Sequence, residues 1–269
     1  MLRDRIVWVL RRLILTIGNL WIDFFMGFII SSNPNWIPRN WSNQEIRKIG
    51  SQFTGNVINV SAAQDNDKQG GKYKDYFPNA KSYTISNYGK GIEGISGDQD
   101  EIILDLSKQY SGSKYDVVFS HTVIEHLPSV EIAIDNLCNL SSDVVITVVP
   151  FIQHYHGRIN SYTDYWRYSP DALINEFEKR GFSTIYVNWN DDFPYMSVYI
   201  LHIASKYPNK YWRLVPQSKI PEINVCGPGV EFSKKLWGWD RTLFRRIGEY
   251  IGSRCVIDKT EGNIGHPGE

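Results

Sequence analysis

The chain has 269 residues, long enough for one substantial core with appendages. Lys plus Arg and Asp plus Glu each total 29, so no overall field draws in nucleic acid or an acidic polymer, and a charged partner has to be met locally. The three cysteines, Cys138, Cys226 and Cys255, form no close-spaced pair, which argues against a disulfide framework and against a metal site and suits a reducing, cytoplasmic setting.

Residues 1–33 read as an apolar N-terminal helix. The run from Leu13 to Ile30 follows Arg3, Arg5, Arg11 and Arg12, but no small-residue cleavage site comes after it, and Asp23 is a costly interruption for a spanning helix. Arg12, Thr16, Asn19, Asp23 and Gly27 recur at steps of three and four, which places one polar stripe opposite a broad apolar face. Two readings stay open. The helix lies in a membrane interface, peripheral on the inner face of the cell membrane, or it packs on the main domain or on a second copy in a homodimer. Asn33, Pro34, Asn35 and Pro38 then mark a linker.

Residues 42–206 carry the main domain. Ser42 and Glu45 suit the two ends of a capping box for a short helix through Ile49, closed by Gly50. Short apolar or β-branched runs at 57–60, 82–86, 101–104 and 115–120 read as strands, separated by room for helices or loops. Ser129 caps a helix with its apolar positions from Val130 to Leu140, and the nearly unbroken apolar run from Asp143 to Val149 suits a strand buried on both faces. Ser169-Pro170-Asp171 supplies an N-cap, a proline at the first helical position and a first-turn acid, matched by Lys179, Arg180 and Gly181 at the other end. Strands at 184–187 and 197–203 follow. The expected architecture is α/β: a doubly wound, mostly parallel sheet with an antiparallel edge strand. Residues 207–269 read as an irregular extension with one amphipathic helix from Ser233 to Ile251.

The stretch Tyr115-Asp116-Val117-Val118-Phe119-Ser120-His121-Thr122-Val123-Ile124-Glu125-His126-Leu127 resembles the fourth-strand motif of class I S-adenosylmethionine-dependent methyltransferases of the type 11 group. Val148-Val149-Pro150-Phe151 and Asp164-Tyr165-Trp166-Arg167-Tyr168-Ser169-Pro170 resemble later segments of the same group, in the same order. The resemblance implies a Rossmann-like methyltransferase fold with S-adenosylmethionine as cofactor. It implies cofactor contacts from Asn59, Ser61, Ala63 and Asp65 after the first strand, from Ser86 and Asn87 after the second, from Asp105 and Leu106 after the third, and from His121 at the fourth. The pattern departs from the family at this end: Asn59 stands for an acid, Ser61, Ala63 and Asp65 stand for three glycines, and Ser86 and Asn87 stand where an acid takes the ribose hydroxyls. Asp105 also reads as an ordinary turn residue.

Methyl transfer to a hydroxyl calls for proximity and a base. His154 or His156 is the expected base, with Asp164 orienting it, and Glu125, His126, Arg158, Tyr165, Trp166 and Arg167 are expected on the acceptor side. Bland readings compete: Glu125 and His126 hold a loop, the two histidines face solvent, and Arg167 braces the helix begun by Ser169. The acceptor suggested by the resemblance is a small molecule, a sugar, a glycolipid or a lipid-linked glycan intermediate of surface polysaccharide assembly. The alternatives are an inactive scaffold with a methyltransferase fold in glycan assembly, and a site turned to another nucleotide donor.

Overall fold

The computed structural model describes residues 2–32, 37–88, 101–155, 163–190, 198–214 and 218. The chain divides into two compact units, Met1–Asn224 and Val225–Glu269, and all described residues belong to the first. The expected helix at 233–251 lies outside the described residues.

A first helix, α1, spans Leu2–Ser32. Its described apolar side chains stay in solvent: Ile14, Leu15, Leu20 and Phe24 are each more than 60% exposed. No helix among the described residues is long and apolar enough to cross a membrane.

The second helix, α2, spans Pro38–Ile49 with Ile37 at its N-cap, and so begins five residues before the start expected from a cap at Ser42. Pro38 fits the first turn because that turn needs no N–H donor from it and its φ is already helical. Ser42 therefore lies inside the helix, and its hydroxyl donates to the Arg39 carbonyl. Glu45 does not close a capping box. Its carboxylate accepts hydrogen bonds from Tyr186 and Asn188 at 2.7 and 3.1 Å, which ties α2 to the sheet.

Seven strands follow: β1 (Gly55–Val60), β2 (Ala80–Asn87), β3 (Glu101–Ile103), β4 (Tyr115–His121), β5 (Ser141–Ile152), β6 (Ser183–Trp189) and β7 (Val198–Ser205). Two helices lie between them, α3 (Val130–Leu140) and α4 (Pro170–Glu178). Both are capped as the sequence suggests, with the Ser129 and Ser169 hydroxyls accepting from the N–H groups of Ile132 and Ala172. The strands form one sheet in the order β3-β2-β1-β4-β5-β7-β6. β1 to β5 run parallel, while β7 is antiparallel to both β5 and β6, so the antiparallel pairing falls at that edge of the sheet.

Strand alternation sends one set of side chains to each face. Val57, Val117, Phe119, Val144, Ile146, Leu201 and Ile203 meet Ile46 and Ile49 of α2 in one buried cluster. The opposite face is covered by α3 and α4, where Phe177 lies 5.0 Å from the His202 ring. No α-helix joins β1 to β2. The connection 61–79 contains one 3-10 turn, Tyr73–Tyr76, whose aromatic rings join Phe77 in the α2-side cluster. At the sheet's opposite end Asp116 accepts from the Asn56 N–H and the Ser142 hydroxyl, fastening the starts of β1, β4 and β5. Gly55 is required there: its φ is +90°, and a Cβ would lie 2.3 Å from the Asp116 carboxylate.

Candidate functional site

Among the described residues the segments that follow β1 and β4 at their carboxyl ends carry the strain in the backbone. Ser61, Ala63 and Asp65 have φ of 54, 51 and 59°, a left-handed alternation that glycine adopts freely and that costs other residues about 1 kcal/mol each. Lys68 and Thr122, at φ 61 and 53°, complete the set of non-glycine residues with positive φ among the described residues, and both lie at the same edge. The turn thus keeps a glycine-type path with residues that do not favour it.

Its side chains are held from within. The buried Asp65 carboxylate accepts from Asn59 Nδ2 at 2.7 Å, the Tyr83 hydroxyl at 2.8 Å and the Lys74 N–H at 2.9 Å. Acid and amide have in effect traded places: an amide stands on the strand and an acid on the turn, and they bond each other. Asn87 accepts from the Ala63 N–H and donates to the Ala63 carbonyl, while Ser86 Oγ accepts from the Ser61 N–H. Asp105 is bonded to the Ser107 N–H and hydroxyl and paired with Lys108, so it closes a turn of its own. Leu106 is buried beside it.

Beside this turn, α2 presents Arg39, Asn43 and Arg47 at steps of four, on one face. Asn43 donates to the Asp67 carbonyl and to Gln69, and Arg47 pairs with the buried Asp67 carboxylate, which also accepts from the Tyr76 hydroxyl and from the N–H groups of Gln69 and Gly71. One turn higher, the Arg39 guanidinium donates to the Tyr73 hydroxyl, His121 Nδ1 and Thr122 Oγ1 at 3.0, 3.2 and 2.9 Å. These contacts settle the His121 tautomer. Nδ1 accepts from Arg39, and the Ser42 hydroxyl spends its proton on the Arg39 carbonyl, so Nε2–H donates to Ser42 Oγ. Burial first, then the Arg39 charge, holds the imidazole well below its ordinary pKa, hence neutral.

On the other side of β4 the two expected acceptor segments come together. The Glu125 carbonyl accepts from the N–H groups of Tyr165 and Trp166, the Trp166 indole donates to the Leu127 carbonyl, and His126 Nδ1 donates to the Thr163 carbonyl. Tyr165 and Trp166 remain partly exposed, at 49% and 39%. Arg167 does not reach out as expected. Its five N–H donors go to the Gln153 carbonyl, the Trp166 carbonyl, the His154 carbonyl and both Asp164 oxygens, so it braces this segment against the exit of β5. Asp164 is committed to that bidentate pair, and the His154 ring, exposed in solvent, has no hydrogen-bond partner among the described residues. His156 and Arg158 lie outside the described residues.

Glu125 stands apart. It is 1% exposed, its Oε2 has no hydrogen-bond partner among the described residues, and burial pushes its pKa up to about 8 against the pull of Arg167 and Arg39. His126 Nε2 lies 3.8 Å from its other oxygen.

Sequence reasoning missed Arg39, Tyr73 and the part Ser42 plays. The available signal was Pro38 as a first-turn residue, which would have moved the helix start and brought Arg39, Asn43 and Arg47 into one stripe. Among the described residues no group of three or more His, Cys, Asp or Glu is placed to hold a metal ion.

No protein family model matches the chain, and neither does any curated protein. The solved structures it resembles include a putative methyltransferase from Bacillus halodurans, at 10% identity and TM-score 0.46, covering 61% of this chain and 98% of the other. A second is an S-adenosylmethionine-dependent methyltransferase from Clostridium acetobutylicum, at 8% identity and TM-score 0.46, covering 69% and 98%. A third, 1,6-didemethyltoxoflavin-N1-methyltransferase from Burkholderia thailandensis, holds 1,6-didemethyltoxoflavin and S-adenosylhomocysteine; it is 11% identical with TM-score 0.46 and covers 71% and 88%. The strand order and the single antiparallel strand of the chain itself define its class: this is a Rossmann-like methyltransferase fold.

Proposed function

We propose that the chain is an S-adenosylmethionine-dependent methyltransferase with an altered donor turn. The observation that carries this reading is the left-handed path of Ser61, Ala63 and Asp65, which keeps the backbone shape of a glycine-rich cofactor turn at a cost in strain that a turn without a ligand has no need to bear. Strain of this kind collects at functional sites, and the carboxyl edge of the sheet is where doubly wound folds bind their ligands. The residues fit the donor in part: backbone groups of the 61–65 turn would hold it, with Leu106 against its apolar ring, while Asn87 holds that turn in shape and Asp105 would have to exchange its Ser107 and Lys108 partners to take part. When bound, the donor supplies an electrophilic methyl group. The chain has to orient the acceptor and take its proton. His154 or His156 is one base for this, and Glu125, whose pKa of about 8 lets it exchange a proton near neutrality, is another. Tyr165 and Trp166 offer exposed flat faces for an acceptor ring.

The type 11 resemblance points the acceptor toward a sugar, a glycolipid or a lipid-linked intermediate of polysaccharide assembly. The exposed apolar face of α1, with Arg5, Arg11 and Arg12, suits the surface of an anionic membrane, so we place the protein in the cytoplasm and peripheral on the inner face of the cell membrane. Co-sedimentation with anionic vesicles tests that placement, and no binding above that seen with neutral vesicles rejects it.

A second reading is an inactive scaffold. The side chains of Asn87 and Asp105 are spent on the Ala63 backbone and on Ser107 and Lys108, which favours it. Calorimetry with S-adenosylmethionine and S-adenosylhomocysteine separates the two: saturable binding that competes between them supports the enzyme, and no heat at millimolar ligand supports the scaffold.

A further inference from the structure

We infer that Arg39 and Lys68 form an oxyanion site at the carboxyl edge of β1 and β4, built for a phosphate or carboxylate group of a ligand. Arg39 donates three of its five N–H groups, all to uncharged partners, namely the Tyr73 phenol, the neutral His121 ring and the Thr122 hydroxyl. Among the described residues its Nε–H and one Nη2–H remain unspent and no carboxylate pairs with it. The three neutral partners fix the plane of the guanidinium, as a preorganised anion site requires.

Lys68 supplies a second cation, on the 61–79 connection where it packs beside α2. It lies between Asp67 and Gln69, both bonded to Asn43, which follows Arg39 by four residues on α2. The Lys68 ammonium makes no hydrogen bond or ion pair with any described residue, and the Arg39 charge, ahead of burial, lowers its pKa. Lys68 is also held in a left-handed conformation. Each of these cations disfavours the other's charge, and among the described residues no carboxylate bonds either, so both gain when an anion joins them. The acid nearest in influence, Glu125, is held largely protonated at neutral pH by its burial and offers no counter-charge.

Other arginines at this edge are already committed, Arg47 to Asp67 and Arg167 to Asp164. An anionic ligand group therefore has Arg39 and Lys68 to meet. The inference stands apart from the donor assignment, since the anion has two sources: a phosphate on the acceptor or the carboxylate of the donor's amino-acid end.

Calorimetry of the full chain with pyrophosphate tests it. Saturable binding is expected, weakened about tenfold or more by Arg39→Gln and severalfold by Lys68→Gln, and unchanged by Lys81→Gln at the amino end of β2, the opposite end of the strands. Lys68→Gln removes no contact within the fold, so its result stands if Arg39→Gln fails to fold. Binding that persists under saturating S-adenosylhomocysteine assigns the anion to the acceptor, and competition assigns it to the donor carboxylate. Absence of pyrophosphate binding at millimolar concentration, or equal loss in all three variants, overturns the site; absence of S-adenosylhomocysteine binding alone overturns only the donor assignment.

Discussion

At the scale of single residues the turn after β1 holds opposing terms. Ala63 bears a positive φ, so Ala63→Gly is expected to stabilise the fold by about 1 kcal/mol, read as a higher urea midpoint at unchanged slope. Asp65 bears the same kind of strain but bonds Asn59, Tyr83 and the Lys74 N–H in the interior. Asp65→Ala strands those donors and is expected to destabilise by about 2–4 kcal/mol. If both variants shift stability in the same direction, the separation of strain from anchoring is wrong. Glu125 gives a pH signature. Its folded pKa, about 8, lies above the ordinary 4.5, so its contribution is fully present below about pH 4.5 and is lost as pH rises through 8. Glu125→Gln removes that dependence. The wild-type chain is therefore expected to lose stability relative to the variant between pH 5 and 9, by a few kcal/mol, and parallel curves would contradict the assignment.

At the scale of elements, α2 does the work that a helix between β1 and β2 would otherwise do. Its Arg39-Asn43-Arg47 face anchors the 61–79 connection, which has only one 3-10 turn of its own. Asn43→Ala is expected to cost about 1–3 kcal/mol and to speed limited proteolysis within 61–79 while cleavage elsewhere stays unchanged. The helix α1 behaves differently, because its described apolar side chains contribute no burial to the sheet. Removing residues 2–32 is expected to leave the unfolding midpoint within about 0.5 kcal/mol of the full chain while abolishing binding to anionic vesicles. The strands and the caps of α3 and α4 were legible in the sequence because β-branched runs and Ser-initiated helices act locally. The start of α2 was not. Pro38 there serves as a first-turn residue, and Ser42 and Glu45 imitate a cap while their side chains are used by His121 and Tyr186, distant in sequence.

At the scale of the whole molecule, strand order follows from where parallel runs, helices and the returning β7 fall along the chain, and the buried runs of β4 and β5 announce it. The site is less legible for a physical reason. The residues that decide it, Arg39, Tyr73, His121 and Glu125, come from separate segments and owe their states to one another: His121 is neutral because it is buried with Arg39 against it, and Glu125 is raised because it is buried. Sequence position brought Glu125, Tyr165 and Trp166 to one place, yet it could not reveal that Arg167 spends every donor inside the fold. The account as a whole turns on whether the strained turn at the head of β1 exists for a ligand. Titration of the full chain with S-adenosylhomocysteine, followed by calorimetry, measures this most directly. One saturable site per chain, weakened at least tenfold by Asn87→Ala, is the expected result; no heat at millimolar ligand, in a chain that remains folded, would contradict it.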